Sequence, residues 1–216
     1  MPLFPLLVIV LVFLFVVVAW RLYRMAKALI KTVLVAALVI LIVGVALLYL
    51  VTSQEVVSSI EVLNRGGDQG TALVVYHPGL TGFHERVTSA FADGLVSNGW
   101  RVEMTTASPY APTDLSSYDL LVLGGPTYFW TPNRPIKSYL SRLGNLGGKR
   151  TAIIITALGM GERSISTMER LVQAANGDLV KSLLLYSLAP NEDIYGINDP
   201  EEIASQVAKG ITPPRR

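Results

Sequence analysis

Three short segments hold most of the chemistry that this chain of 216 residues can offer. The first, His77-Pro78-Gly79-Leu80-Thr81-Gly82-Phe83-His84, separates an apolar run from a helical period. Backbone N–H groups at such a helix start bind anions, the Thr81 hydroxyl adds a donor, and Gly79 and Gly82 allow close approach. The second, Gly124-Gly125-Pro126-Thr127-Tyr128-Phe129-Trp130, ends in three aromatics whose flat apolar faces suit a planar ring. In the third, Ala157-Leu158-Gly159-Met160-Gly161-Glu162-Arg163-Ser164, the glycines again free the backbone just before a helix. Each also has a plainer reading: a turn, aromatics that roof the core, and first-turn charges on a solvated face.

Other chemistries lack the residues they require. Cysteine is absent, which removes disulfides, thiolate metal sites and cysteine nucleophiles. His77 and His84 are the only histidines, and neither a Gly-x-Ser-x-Gly elbow nor a Walker loop occurs. A phosphoacceptor domain needs an acidic pair after its first strand and an aspartate ending its third; His77-Pro78 and Gly124-Gly125 stand there instead. No Asp-x-His-x-x-Gly triplet is present for cobalamin. Four of the eighteen Lys and Arg precede Thr32, which leaves fourteen against sixteen acidic residues from Thr52 onward, a balance of about −2. Nothing there marks a nucleic-acid surface.

The elements that must position these segments begin after a very different N-terminal part. All acidic residues lie after residue 54, while Leu3–Trp20 and Thr32–Val51 are uncharged runs of eighteen and twenty residues. At about 1.5 Å per residue each spans roughly 27 to 30 Å, so residues 1–51 are expected to form a transmembrane hairpin with helices at about 3–20 and 32–51. A cleaved signal fits poorly, because no cation precedes the first run and Val16-Val17-Val18-Ala19-Trp20 lacks a small-x-small site. Arg21, Arg24, Lys27 and Lys31 lie between the runs, whereas the twenty residues after Val51 hold only Arg65; the soluble part is therefore expected outside. A start at Met25 with a single span gives the same side.

Residues 52–70 read as a polar connector and 71–216 as one domain of ordinary size. Apolar runs at 72–76, 102–106, 120–124, 152–156 and 183–188 read as strands, and between them Val87, Phe91 and Leu95, then Ile136, Tyr139 and Leu140, then Ile165, Met168 and Val172 recur at helical spacing. Ile203 and Val207 do so in a last helix, with Asp199 as N-cap, Pro200 at the first position and Glu202 placed for a capping box. Pro109–Ser117 is too short and Pro-rich for a full crossover helix. Only the second run alternates, as an edge strand would, which predicts an α/β fold: a doubly wound five-stranded parallel sheet in the order 2-1-3-4-5.

Taken together, the three segments resemble the loops of the flavodoxin-like family over about residues 70–190. That resemblance implies FMN as cofactor, with the phosphate on the first loop and the isoalloxazine between the other two. The family's Ser/Thr-x-Thr-Gly-x-Thr is matched here by Gly79-Leu80-Thr81-Gly82-Phe83-His84, which keeps the central Thr-Gly and loses the flanking hydroxyls. By the resemblance, Gly79, Leu80, Thr81, Gly82, Phe83 and His84 hold the phosphate. Pro126, Thr127, Tyr128, Phe129 and Trp130 cover the ring, and Leu158, Gly159 and Gly161 supply backbone contacts to its polar edge. The expected role is electron transfer beside a lipid bilayer, with a redox partner protein or a quinone; the alternatives are an FMN-dependent NAD(P)H:quinone or flavin reductase, and a non-redox interaction domain that kept the fold.

Overall fold

The computed structural model describes residues 3–191 and 196–213, with side chains from residue 11 onward, and the chain divides into two compact units, Met1–Leu50 and Val51–Arg216. The first is dominated by one helix, α1 (Leu3–Thr52), 50 residues and about 75 Å long. Here the expected hairpin is corrected, because the helix runs through Arg21–Lys31 without a break. The reason is local: Arg-Leu-Tyr-Arg-Met-Ala-Lys-Ala-Leu-Ile-Lys contains neither glycine nor proline and is rich in strong helix formers. At 3.6 residues per turn the four cations fall on one face of the rod, and the Arg24 guanidinium lies 4.2 Å from the Trp20 ring centre. Every side chain from Leu11 to Leu50 is exposed, and the helix is long and apolar enough to cross a membrane once.

In the second unit the chain builds β1 (Glu61–Leu63), β2 (Thr71–Tyr76), α2 (Phe83–Ser97), β3 (Arg101–Thr106), β4 (Leu120–Tyr128), β5 (Thr131–Pro132), α3 (Arg134–Leu143), β6 (Arg150–Ala157), α4 (Glu162–Ala174), β7 (Asp178–Tyr186) and α5 (Pro200–Lys209). The sheet has seven strands rather than five. Its order is β1-β3-β2-β4-β6-β7, with β5 hooked onto the end of β4. β3, β2, β4, β6 and β7 are mutually parallel, and β1 is added antiparallel at the β3 edge.

Strand periodicity divides the core in two. Ala72, Val74, Val122 and Ile154 face α2 and α5, whose Val87, Phe91, Leu95, Ile203 and Val207 cover them. Their neighbours Leu73, Val75, Leu121, Leu123, Ile153 and Ile155 face α3 and α4, meeting Ile136, Tyr139, Leu140, Met168 and Val172. These are the stripes read from the helical period. Asp199 caps α5 as expected, its carboxylate accepting from Glu202 N at 2.8 Å.

Three boundaries differ from expectation, each for a physical reason. The connector is partly strand: Ser58 N and Thr106 Oγ1, and Thr106 N and Ser58 Oγ, bond reciprocally at 3.0 Å, pinning the segment that leads into β1. β7 begins at Asp178 instead of Leu183, because its first half is half-buried at an edge and its polar residues resemble a loop. β4 continues through Gly125, Pro126, Thr127 and Tyr128, so the second segment is strand until Phe129. Between β3 and β4 there is no helix; the Tyr139 hydroxyl donates to the Pro112 carbonyl and Arg142 to that of Ser108, which hold the abbreviated crossover in place.

One glycine carries the contact between α2 and α5. A methyl group on Gly94 would strike the Ser205 carbonyl oxygen and lie 2.8 Å from Ala208 Cβ. Alanine ordinarily stabilises a helix interior by about 1 kcal/mol over glycine, whereas overpacking a fitted contact costs about 1 to 3 kcal/mol. Gly94→Ala is therefore expected to lower the urea midpoint of the full chain, and an unchanged or raised midpoint would show that the two helices separate freely.

Candidate functional site

Because the five long strands are parallel, the segments after β2, β4 and β6 emerge on one edge of the sheet. The first forms a turn in which Gly82 takes the N-cap position of α2 with φ of 68°, a left-handed conformation that glycine adopts without strain. Thr81 Oγ1 lies 3.5 Å from Phe83 N, and no bonded partner takes the N–H groups of Thr81 and Gly82 among the described residues. Those donors stand exposed at a helix start, a position whose N–H groups are suited to an anion. Arg86 borders it, a residue the sequence reading passed over. Its Nη1 lies 3.9 Å from the position a Gly82 Cβ would occupy, and its Nε donates to Glu201 Oε1 at 2.7 Å. The signal was present in the helical period, since one turn separates Gly82 from Arg86.

The second segment is a two-residue hairpin between β4 and β5, with Thr127 paired to Pro132 and Tyr128 to Thr131. Its turn residues, Phe129 and Trp130, have φ of 50° and 58°. Such turns favour Asn-Gly, and a left-handed conformation costs an ordinary side chain roughly 1 to 2 kcal/mol. Both aromatics stand outward on this turn, 45% and 57% exposed. Tyr128 behaves differently from its neighbours: it is half-buried, and its hydroxyl accepts from Leu80 N at 3.0 Å, tying the first segment to the second. Pro126 is buried against Gly79.

The two glycines at the start of this segment do not face a ligand. A Cβ on Gly124 would come 2.7 Å from His84 Nε2, and one on Gly125 would collide with the Asn133 amide oxygen. Their bare backbone makes room for α2 and α3.

Leu158, Gly159 and Met160 of the third segment stand opposite the hairpin and are exposed, while Gly161 is buried where a side chain would strike Leu184. Thr127, Phe129, Trp130, Ala157, Leu158, Gly159 and Met160 together enclose a cleft of about 330 Å³. In its wall Thr127 Oγ1 is buried without a partner, and both amide atoms of Asn133, behind Gly125, are likewise unpaired. Buried polar atoms are ordinarily satisfied. A second hollow of about 620 Å³ lies between Thr81, Phe83 and Arg86 on one side and Tyr186, Leu188 and Glu201 on the other, with Leu158 shared between the two.

The histidines serve the scaffold. His84 is buried, with Nδ1 3.0 Å from Thr156 Oγ1 and Nε2 3.1 Å from Thr88 Oγ1, so both ring nitrogens are engaged inside the scaffold. Burial, reinforced by the nearby His77, pushes its pKa down to about 3. His77 Nδ1 accepts from Gly79 N at 3.1 Å, which leaves Nε2–H to donate to the Gln54 carbonyl at 3.1 Å. Burial lowers its pKa as well.

No protein-family model and no curated protein matches the sequence. Among solved structures, the chain is similar to a Streptococcus pneumoniae TIGR4 flavodoxin, with a TM-score of 0.53 and 17% identity over 64% of this chain and 95% of that one. An archaeal flavodoxin gives 0.52 and 16% over 64% and 94%, and the azoreductase AzrA gives 0.50 and 13% over 65% and 100%. The fold is flavodoxin-like. At these identities the likeness is one of backbone, and the flavodoxin-like part accounts for about two thirds of the chain.

Two outcomes test this geometry. Replacing Phe129→Asn together with Trp130→Gly is expected to relieve the turn and raise the unfolding free energy in urea titrations by about 1 to 2 kcal/mol for each residue relieved; a fall would mean that aromatic packing outweighs the strain. A histidine held neutral in the fold protonates first in the unfolded chain, so stability is full above pH 6.5 and falls as pH drops toward the folded pKa of about 3. Between pH 6.5 and 5, before the carboxylates titrate, unfolding free energy should decline by up to about 1.4 kcal/mol per pH unit for each such histidine. His84→Asn should flatten that slope, and an equal slope in the variant would move its origin elsewhere.

Proposed function

We propose that the chain is a membrane-anchored flavodoxin-like protein that binds FMN at the carboxyl edge of its sheet and passes electrons through it. The observation that carries this reading is the cleft of about 330 Å³ between the Phe129-Trp130 hairpin and Leu158–Met160, joined to the Gly82 turn by the Leu80–Tyr128 hydrogen bond. The residues present fit the group. Phe129 and Trp130 offer faces to a planar ring, Thr127 Oγ1 has an unused hydrogen-bonding position in the cleft wall, and the N–H groups of Thr81 and Gly82 suit a phosphate. Bound FMN would supply the redox chemistry, taking up and releasing electrons.

In this reading the chain's own residues divide the work. Thr81, Gly82 and Phe83 hold the phosphate with backbone and hydroxyl donors, and Tyr128 keeps their turn beside the cleft. Arg86 replaces with one cation what the missing flanking hydroxyls would have given as neutral hydrogen bonds. Its exchange from Glu201 to phosphate is a movement of one half-exposed side chain. Leu158 and Met160 exclude water from the ring opposite the aromatics.

The apolar helix supports anchoring. With Thr32–Val51 as the span, Arg21, Arg24, Lys27 and Lys31 lie on its N-terminal side, and the positive-inside rule still puts the domain outside. A second reading, an FMN-dependent reductase with a quinone or flavin acceptor, is supported by the likeness to the azoreductase and by the open edge beside the cleft. Turnover of a nicotinamide cofactor with a quinone separates that reading from a carrier that meets a redox partner protein.

Titrating the full chain in detergent with FMN is expected to quench flavin fluorescence and perturb the visible bands, and a silent titration would sink the proposal. Arg86→Ala and Thr81→Ala should each weaken FMN by about tenfold or more, the loss of a charged hydrogen bond, and leave riboflavin, which has no phosphate, unaffected. Equal losses for both ligands would place the phosphate elsewhere.

A further inference from the structure

Large apolar side chains exposed on the second unit are not scattered. Eleven are exposed among the described residues after Thr52, and seven of them sit on loops that follow the parallel strands: Leu80 after β2, Tyr110 after β3, the Phe129-Trp130 pair after β4, Leu158 and Met160 after β6, and Leu188 after β7. Only Leu171, on α4, lies away from both this edge and the segment entering it. The proposed FMN cleft uses the aromatic pair, Leu158 and Met160. It has no use for Leu80, Tyr110 or Leu188, which are 53%, 79% and 81% exposed. Clustered apolar exposure of this kind marks a surface that meets something apolar.

What it meets follows from where the chain enters. The Gln54 carbonyl is bonded to His77, Glu55 pairs with Arg142 at 3.2 Å, and Val56 and Ser58 are bonded to Thr106. His77 and Thr106 stand at the carboxyl ends of β2 and β3. The remaining exposed apolar residues, Val56, Val57 and Ile60, lie on this same incoming segment. Since the apolar run of the sequence ends at Val51, a bilayer that holds the run also holds the chain a few residues from this edge. Tyrosine, tryptophan and leucine are the side chains that settle at a membrane–water interface.

We infer that the carboxyl edge of the sheet is a lipid-facing surface, with Leu80, Tyr110 and Leu188, the exposed residues that the cleft leaves unused, resting in the headgroup zone of the bilayer. This rests on the reading of the N-terminal helix as a membrane span. The opposite edge, where strands begin, presents polar turns such as Ser116-Ser117 and Asn145 to water.

The absence of cysteine makes the test direct. Single variants Tyr110→Cys, Leu188→Cys, Ser117→Cys and Leu34→Cys of the full chain, each carrying a fluorophore, are reconstituted into bilayer discs with and without nitroxide-labelled lipid. Labels at positions 110 and 188 should be quenched several-fold more than the label at 117. Quenching at 110 and 188 no greater than at 117, with Leu34→Cys strongly quenched, overturns the inference and leaves the membrane span intact. An unquenched label at 34 removes the span itself and the inference with it. Excimer formation between pyrene labels at 188, without lipid quenching, assigns the surface to a second copy and also overturns it.

Discussion

The parallel pairing of β2 with β4 is the constraint on which the crevice at the sheet's carboxyl edge depends. Ala72 to Tyr76 lie beside Leu120 to Gly124, while β3 lies on the other flank of β2 and β6 on the far flank of β4. After β2 the chain turns to one face of the sheet and after β4 to the other, since α2 and α3 cover opposite faces. Two successive loops therefore diverge from adjacent strand ends, and a crevice opens between them. That crevice needs close-packed walls. Gly124 admits the His84 ring on one face and Gly125 admits Asn133 on the other, so helices can start within a methyl group's distance of the sheet.

Much of the fold was legible because burial is periodic. The inward positions of β2, β4 and β6 and the stripes of α2, α3, α4 and α5 were readable from spacing alone. What was missed depended on partners far away in sequence. β1 is three residues long and exists only because β3 leaves an open edge for it. The first half of β7 looks polar because one edge of the sheet sees water. Charges between two apolar runs suggested a turn, yet a run of strong helix formers without glycine or proline has no local reason to bend.

The candidate site was legible in composition and less so in role. Three segments of the right chemistry do share one edge, but types alone could not say which side chains look outward. His84 is spent on Thr88 and Thr156, Tyr128 braces a neighbouring turn, and Gly161 is packed under Leu184. Arg86 lies beside the Gly82 turn because a helix returns to the same side after one turn. Phe129 and Trp130 hold backbone conformations that their side chains disfavour, the local cost expected where display outranks stability.

The bond from His77 to Gln54 has a mechanical side. Gln54 carbonyl, imidazole and Gly79 N–H form an unbroken relay from the incoming segment to the turn after β2. Force drawn along that segment meets the His77 contact, then the reciprocal Ser58 and Thr106 bonds, then the short antiparallel β1. The parallel strands behind it are loaded only after those have parted. A pull along the incoming segment is thus felt first at the turn after β2, and the sheet's interior is shielded from it.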